Sequence, residues 1–331
     1  MLTGKVPPEL LTRLVYPYLG RRGEAMVHAH LGEDCAVLDL GEWACVLTCD
    51  PITTSQQRLG WLAVHVACND LATSGAEPVA LLLTLLLKKG TTEEELEVVM
   101  RDAGAAAASL NVEIVGGHTE VTPGIDHTIA VTTAVGRARK GAVVSAAGAR
   151  PNDAVLLTKG AGIEGTAILA TDLADLLRPV MGEAALARAQ RFIERISVVP
   201  EGQIAAAHGA TAMHDVTEGG ILAGAWELAE AAGRGIKLRA DDVPVMPETQ
   251  AICHALDLDP LALISSGAML IATPQPRDVL QALAAVQIPA VEIGLITDGE
   301  RTVYRQGRAA PLVPPARDEL YRALENPEIK L

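Results

Sequence analysis

The run VALLLTLLL, residues 79–87, constrains the fold of this chain more than any other stretch. It carries no charge and one hydroxyl, and it is far shorter than the roughly 20 apolar residues of a membrane span. Side chains of a strand alternate between two faces, so an unbroken apolar run predicts a strand with apolar groups on both sides. Such a strand is too apolar for an exposed edge or face. The neighbouring sequence supplies a sheet for it. Strands are predicted over 35–40 and 43–49, joined by the turn Gly41-Glu42, then a helix over about 57–73. TTEEELEVVMRDAGAAAASLN (91–111) reads as a helix that Thr92 caps, with Glu95 at capping-box spacing. VEIVGG (112–117) and HTIAVTTAVGRA (127–138) read as strands. The order β-β-α-β-α-β-β gives a mixed α/β layer and not a plain doubly wound repeat.

SAAGARPND (145–153) has turn chemistry and little hydrophobicity, which predicts a boundary there between domains at 1–148 and 149–331. Beyond it the strand AVLLTK opens the second half and several helices follow. TAMH, the helix GGILAGAWELAEAAG and a helix near 248–256 come next. The strand AMLIAT, a helix from about 276 and the strands VEIGLI and RTVYRQ complete this half. The tail from Pro311 is proline-bearing and then helical.

Charge excludes some functions. With 41 acidic and 27 basic residues the net charge is −14, and only eight residues are aromatic. Neither the basic field nor the stacking platform of a nucleic-acid-binding protein is present. No apolar run reaches membrane-span length, and the N-terminus shows no signal-peptide core, so a cytoplasmic protein is expected. The five cysteines form no Cys-x-x-Cys pair and are expected to be reduced core thiols.

The acids fall at element boundaries. Asp34 in GEDCAVL precedes a strand, Asp50 in CVLTCD ends one, and Asp70 in HVACNDLATSGAEP lies near a helix end beside Asn69. Each could serve as a cap. Three carboxylates gathered at one edge repel unless a cation joins them, and a hard cation such as magnesium takes oxygen ligands of this kind while also binding phosphate. GGHTEVTPG (116–124) puts Gly116 and Gly117 after a strand, where backbone amides can approach a ligand, with Thr119 and Glu120 adding polar groups. HDVTEGG (214–220) places Asp215, Thr217 and Glu218 at a helix N-terminus, where capping is the plain alternative. KGAGIEG (159–165) has the glycine spacing of a dinucleotide fingerprint at Gly160, Gly162 and Gly165. The second parallel strand that the fingerprint requires is absent from the pattern that follows. An anion-binding loop with Lys159 as its local base fits better.

Taken in order, GEDCA, LTCD, NDLATSGAEP, GGHTE and HDVTEGG resemble the superfamily of aminoimidazole ribonucleotide (AIR) synthetase, also called PurM-like. It includes selenophosphate synthetase, thiamine-monophosphate kinase and HypE-type hydrogenase maturation factors. The resemblance spans about residues 30–300. It implies a two-domain AIR synthetase-like fold whose first domains pair through their sheets in a homodimer. It implies magnesium on Asp34, Asp50 and Asp70, with Asn69 as a polar neighbour, and ATP in a groove lined also by Gly116, Gly117, Thr119, Glu120, Lys159, Gly160 and Gly162. It further implies that Asp215 and Glu218 face that groove and that the γ-phosphoryl group passes to a heteroatom of a small-molecule or protein-borne acceptor. His118 stands where thiamine-monophosphate kinases carry an aspartate-rich loop and joins Asp215 and Glu218 as a catalytic candidate. NDLATSGAEP with KGAGIEGTAIL is most similar to the HypE branch. That branch carries its substrate on a C-terminal cysteine, whereas this sequence ends NPEIKL, so a separate acceptor is expected. A non-catalytic nucleotide-binding partner in hydrogenase maturation and a thiamine-monophosphate kinase-like enzyme are the alternatives.

Overall fold

The structure, a computed structural model, describes residues 4–53 and 57–325. Helix α1 (Pro8–Leu14) precedes a six-stranded sheet of β1 (Ala25–Val27), β2 (Ala36–Leu40), β3 (Trp43–Ile52), β4 (Glu77–Leu87), β5 (Glu113–Val121) and β6 (Ile129–Arg139), in the order β1-β2-β3-β6-β4-β5. β4 and β5 are parallel; the other neighbours are antiparallel. The parallel pair is joined by α3 (Glu93–Ser109), as a parallel connection requires a crossover. Its start is fixed locally. The Thr92 side chain accepts from the Glu95 amide at 3.2 Å, and the Glu95 carboxylate accepts from the Thr92 amide at 2.8 Å.

Helix α2 (Leu59–Thr73) is the pivot of the molecule. Every residue except Trp61 is buried, because the helix lies between the first sheet and the second half of the chain, and a helix buried all round is apolar all round. Two glycines permit the close approach. A Cβ on Gly60 would collide with the Val99 carbonyl of α3, and one on Gly202 with the Ala72 carbonyl of α2 itself.

The second half forms a seven-stranded sheet. Its strands are β7 (Ala154–Thr158), β8 (Ala212–Asp215), β9 (Gly235–Arg239), β10 (Met269–Thr273), β11 (Ala290–Thr297), β12 (Arg301–Arg305) and β13 (Arg308–Pro311). They lie in the order β13-β12-β9-β11-β7-β10-β8, with β9 and β12 parallel. Helices α4 to α7 (Ile163–Asp172, Ala174–Met181, Glu183–Gln190, Val199–Ala207) follow β7. α8 (Gly220–Ala231), α9 (Pro247–Leu256), α10 (Pro276–Ala285) and α11 (Glu319–Leu324) complete the set. The fold is the two-sheet mixed α/β class expected from the sequence. The core of the first half runs on into the second through Leu156, Val198, Met213, Met269 and Ile271. Strands β1, β9 and β13 and helix α1 are additions to the sequence reading.

Burial corrects two expectations. In VALLLTLLL, Leu81, Leu83, Leu85 and Leu87 are buried, but Leu82 on the opposite face is 44% exposed. The run is therefore covered on one face within a single chain. Of the five free cysteines, Cys35, Cys68 and Cys253 are buried, whereas Cys45 is half-buried and Cys49 exposed. Among the described residues no helix is long and apolar enough to cross a membrane. The terminal NPEIKL lies outside the described residues.

A carboxylate-lined groove between the two halves

The ends of β3 and β8, the start of β2 and one face of α2 meet in a groove of about 720 Å³. Asp34 enters just before β2, Asp50 near the end of β3, Asp70 from the last turn of α2 and Asp215 from the end of β8. Glu218 follows on the loop into α8, and Glu164 comes from the first turn of α4. Lys5, close to the N-terminus, lies across the same space.

This gathering perturbs the acids. Burial pushes the Asp34 carboxyl up to about 8; Asp215 and Glu227 add to the rise and His214 opposes it. Burial, with Asp50 as the next cause, holds Asp70 well above the carboxylate range. The Thr48 hydroxyl donates to Asp70 Oδ2 at 2.5 Å. Asp215 is raised to about 6, chiefly by burial, against the pull of His214. Asp34 Oδ2 and Asp215 Oδ2 are buried without a hydrogen-bond partner among the described residues.

His214 explains part of the electrostatics. Its Nδ1 lies 2.7 Å from the Asp215 carbonyl oxygen, to which it can only donate. Its Nε2 lies 3.2 Å from Glu227 Oε2. The acids around the ring favour its charged form, although the Nε2 contact with Glu227 is an ion-pair distance without hydrogen-bond geometry. Burial works against that charge, but Asp34, Glu227 and Asp215 together raise its pKa to about 10. Asp34, His214 and Asp215 come within metal-binding distance of one another. The carboxylate oxygens here are the donors that a hard ion such as magnesium prefers. Glu227 is held down at about 2: burial would raise it, and Lys5 and His214 overcome that.

Other residues singled out in the sequence have different surroundings. Asn69 is fully buried and turned to the second half: its Nδ2 donates to the Ile196 carbonyl at 2.7 Å and its Oδ1 accepts from the Val198 amide at 2.8 Å. Each polar atom makes a bond to the second half, so the side chain joins the halves; it is fully buried and does not line the groove. Lys159 donates to the carbonyls of Arg195 and Ser197 at 3.0 and 2.6 Å and pairs with buried Glu201 at 2.6 Å. It is a structural cation and not a base for a bound anion. Gly160 and Gly162, both at positive φ, pack against Pro244 and against Thr249 and Leu263. Those close contacts account for the spacing that resembled a fingerprint. Gly116 and Gly117 lie within β5, and a Cβ on Gly117 would strike the Leu83 carbonyl of β4. His118, Thr119 and Glu120 follow on that exposed edge strand, with His118 Nε2 3.1 Å from Glu120 Oε2. None of these residues lines the groove of its own chain. Conversely, Lys5, Thr48, Glu164, His214, Glu227, Ser266 and Tyr321 belong to the groove or its support and escaped the sequence reading. Of these, His214 in HDVTEGG, Thr48 in LTCD and Glu164 in KGAGIEG stood in motifs that pointed there.

The chain matches the sequence profile of the N-terminal domain of AIR synthase related proteins over residues 32–138 and that of the C-terminal domain over 150–306. It is 32% identical to a putative hydrogenase expression/formation protein of Methanocaldococcus jannaschii, covering 72% of this chain and 71% of the relative. It is 30% identical to carbamoyl dehydratase HypE of Rhodobacter capsulatus, covering 86% of this chain and 81% of the relative. Among solved structures it superposes on hydrogenase maturation protein HypE in complex with ATP with a TM-score of 0.68 at 22% identity, over 96% of this chain and 97% of that one.

Proposed function

The chain belongs to the AIR synthase related family, and on that premise we propose that it binds magnesium and ATP in the groove and passes the γ-phosphoryl group to a heteroatom of a separate acceptor. The observation that carries this reading is the convergence of Asp34, Asp50, Asp70 and Asp215 on one space, with Asp34 Oδ2 and Asp215 Oδ2 buried and without a hydrogen bond among the described residues, Asp34 Oδ2 facing only His214 Nδ1 at 3.5 Å. Carboxylates so placed repel one another, and a divalent cation relieves both the repulsion and the unmet oxygens. Magnesium there would neutralise phosphate charge and fix the phosphates in place. The chain's own residues hold the acids ready. His214 sits behind Asp34 and Asp215, the Thr48 hydroxyl orients Asp70, and Lys5 offers a cation at the rim that Glu227 anchors at 3.4 Å. The ATP complex of the structurally similar HypE supports the choice of nucleotide. The relatives' names support hydrogenase maturation as the setting. The partly exposed apolar face of the first sheet supports a homodimer.

Thermal unfolding with magnesium and ATP, with ATP and a chelator, and with NAD tests the reading. At about 100 times the dissociation constant a ligand stabilises by roughly 2.7 kcal/mol. The first condition should raise the melting temperature and the other two should not; no rise with magnesium and ATP refutes the reading. ADP release on addition of an acceptor then separates an enzyme from a nucleotide-binding partner that does no chemistry.

A further inference from the structure

The four metal-site acids occupy one part of the groove, and another part of its wall has a different chemistry. Glu164, in the first turn of α4, is only 4% exposed, yet it lines the groove. Its Oε2 is buried with no hydrogen-bond partner among the described residues. Ser266, also at the groove, hydrogen bonds with the same carboxyl. Tyr321 of α11 and Glu218 line the space beside it, and Asp318 is close enough, with Glu218, to act on Glu164 electrostatically. Asp318 itself is occupied: its two oxygens accept from the amides of Gly219 and Leu320. Glu218 takes the Lys5 amide at 3.0 Å. Glu164 is therefore the acid on this wall with a buried oxygen still to satisfy. Burial is the main cause that pushes its carboxyl up to about 7, with Ser266 opposing and Asp318, Asp215 and Glu218 adding to the rise.

A buried polar oxygen without a partner is costly. The first turn of α4 favours a negative charge at Glu164, but the carboxyl makes no capping hydrogen bond and joins no ion pair among the described residues, so its Oε2 stays unmet. Its surroundings also set the sign of what it can receive. Acids crowd this wall, so a phosphate or carboxylate brought to Glu164 would meet repulsion, whereas an N–H donor would find a lone pair and a favourable field.

We propose that Glu164 is the acceptor-recognition residue of the groove: its Oε2 accepts a hydrogen bond from a nitrogen-borne donor of the phosphoryl acceptor, an amidine, guanidine, amide or amine. Acceptors that present phosphate or carboxylate at that point are excluded. The inference rests on the magnesium and ATP reading for the word acceptor; the subsite and its preference for N–H donors stand on Glu164 alone.

The test uses three probes with one ring and three head groups: benzamidine, benzamide and phenyl phosphate. Each is titrated into the full chain loaded with magnesium and a non-hydrolysable ATP analogue, so that the metal end is filled, and followed by ligand-observed NMR. Benzamidine and benzamide should bind and phenyl phosphate should not. Glu164→Gln should weaken benzamidine at least fivefold while leaving the affinity for the nucleotide analogue within twofold. Ser266→Ala, a smaller change that frees the carboxyl it holds, should weaken benzamidine about twofold and guards against a folding defect in Glu164→Gln. Phenyl phosphate binding as tightly as benzamidine, or benzamidine binding unchanged in Glu164→Gln, overturns the proposal. Failure of the analogue to bind would refute the ATP reading instead. The amidine titration into the nucleotide-free chain would still decide on Glu164.

Discussion

At the scale of the residue, Asp70 carries the sharpest consequence. Its carboxyl is buried, raised by burial and by neighbouring Asp50, and held by Thr48. Asn in its place keeps an oxygen for the Thr48 hydroxyl and removes the repelled charge. Asp70→Asn should therefore unfold at higher urea concentration than the parent in the absence of ligand, by on the order of 1 kcal/mol. It should bind magnesium-ATP at least about tenfold more weakly, which corresponds to about 1.4 kcal/mol. Calorimetric titration that finds the affinity unchanged removes Asp70 from the metal site. The same acids set the response to pH. The folded pKa values of Asp34 (about 8), Asp215 (about 6) and His214 (about 10) all lie above their ordinary values. The folded state thus holds more protons than the unfolded one, and stability falls as pH rises. Glu227, lowered to about 2, acts in the opposite sense but only below the ordinary carboxylate pKa. Between pH 6 and pH 9 the metal-free protein should lose stability steadily as pH rises. Magnesium should flatten the fall, because a cation then compensates charge that protons compensated before. Urea melts across that range with and without magnesium read both effects, and a metal-free stability that rises with pH contradicts the assigned shifts.

At the scale of the element, the joint between α2 and α7 is the most exacting contact. A Cβ on Gly202 meets the Ala72 carbonyl, a backbone atom that cannot turn aside. Gly202→Ala should cost about 1–3 kcal/mol as an overpacked contact, despite the better helix propensity of alanine. Thermal melts check it; an unchanged melting temperature would mean that the two helices have room to part. The contrast with α3 shows what a sequence can disclose. Its start was legible at Thr92 and Glu95 because a capping box is complete within four residues. The boundary acids were legible for a similar reason: strand and helix ends at Asp34, Asp50, Asp70 and Asp215 are visible as breaks in apolar patterns. The short strand β9 escaped, because GIKLR alternates buried Ile236 and Leu238 with charged neighbours directly after a helix. Gly160 and Gly162 misled because their need for glycine is tertiary, set by Pro244, Thr249 and Leu263 from far along the chain. Asn69 misled in the same way: its partners at 196 and 198 lie about 130 residues on. Lys5 and Tyr321 reach the groove only through the packing of the two halves, so no local pattern announces them, and Glu164 lay inside KGAGIEG without being singled out from it.

At the scale of the whole molecule, the first sheet presents a face that one chain does not cover. Helices α2 and α3 cover the side of Leu81, Leu83 and Leu85, while Leu82 stands 44% exposed on the other side and Trp43 is exposed on that same face. Large exposed apolar groups scattered singly are ordinary, but those that share one sheet face mark an interaction surface. A second copy of the chain is the simplest occupant, since a two-fold axis lets one such face cover itself. The edge strand β5 would be carried into that interface, and with it His118, Thr119 and Glu120, which line no groove in their own chain. Pairing would give that exposed strand a partner surface, which its own fold does not supply. The full chain should therefore run as a dimer in light scattering at micromolar concentration. Leu82→Glu, which puts a charge at the centre of the face without touching the buried side, should shift it to monomer. Its unfolding would then become independent of protein concentration, whereas that of the parent should strengthen with concentration by mass action. A parent that scatters as a monomer at micromolar concentration removes the dimer, and the apolar face would then need a different partner.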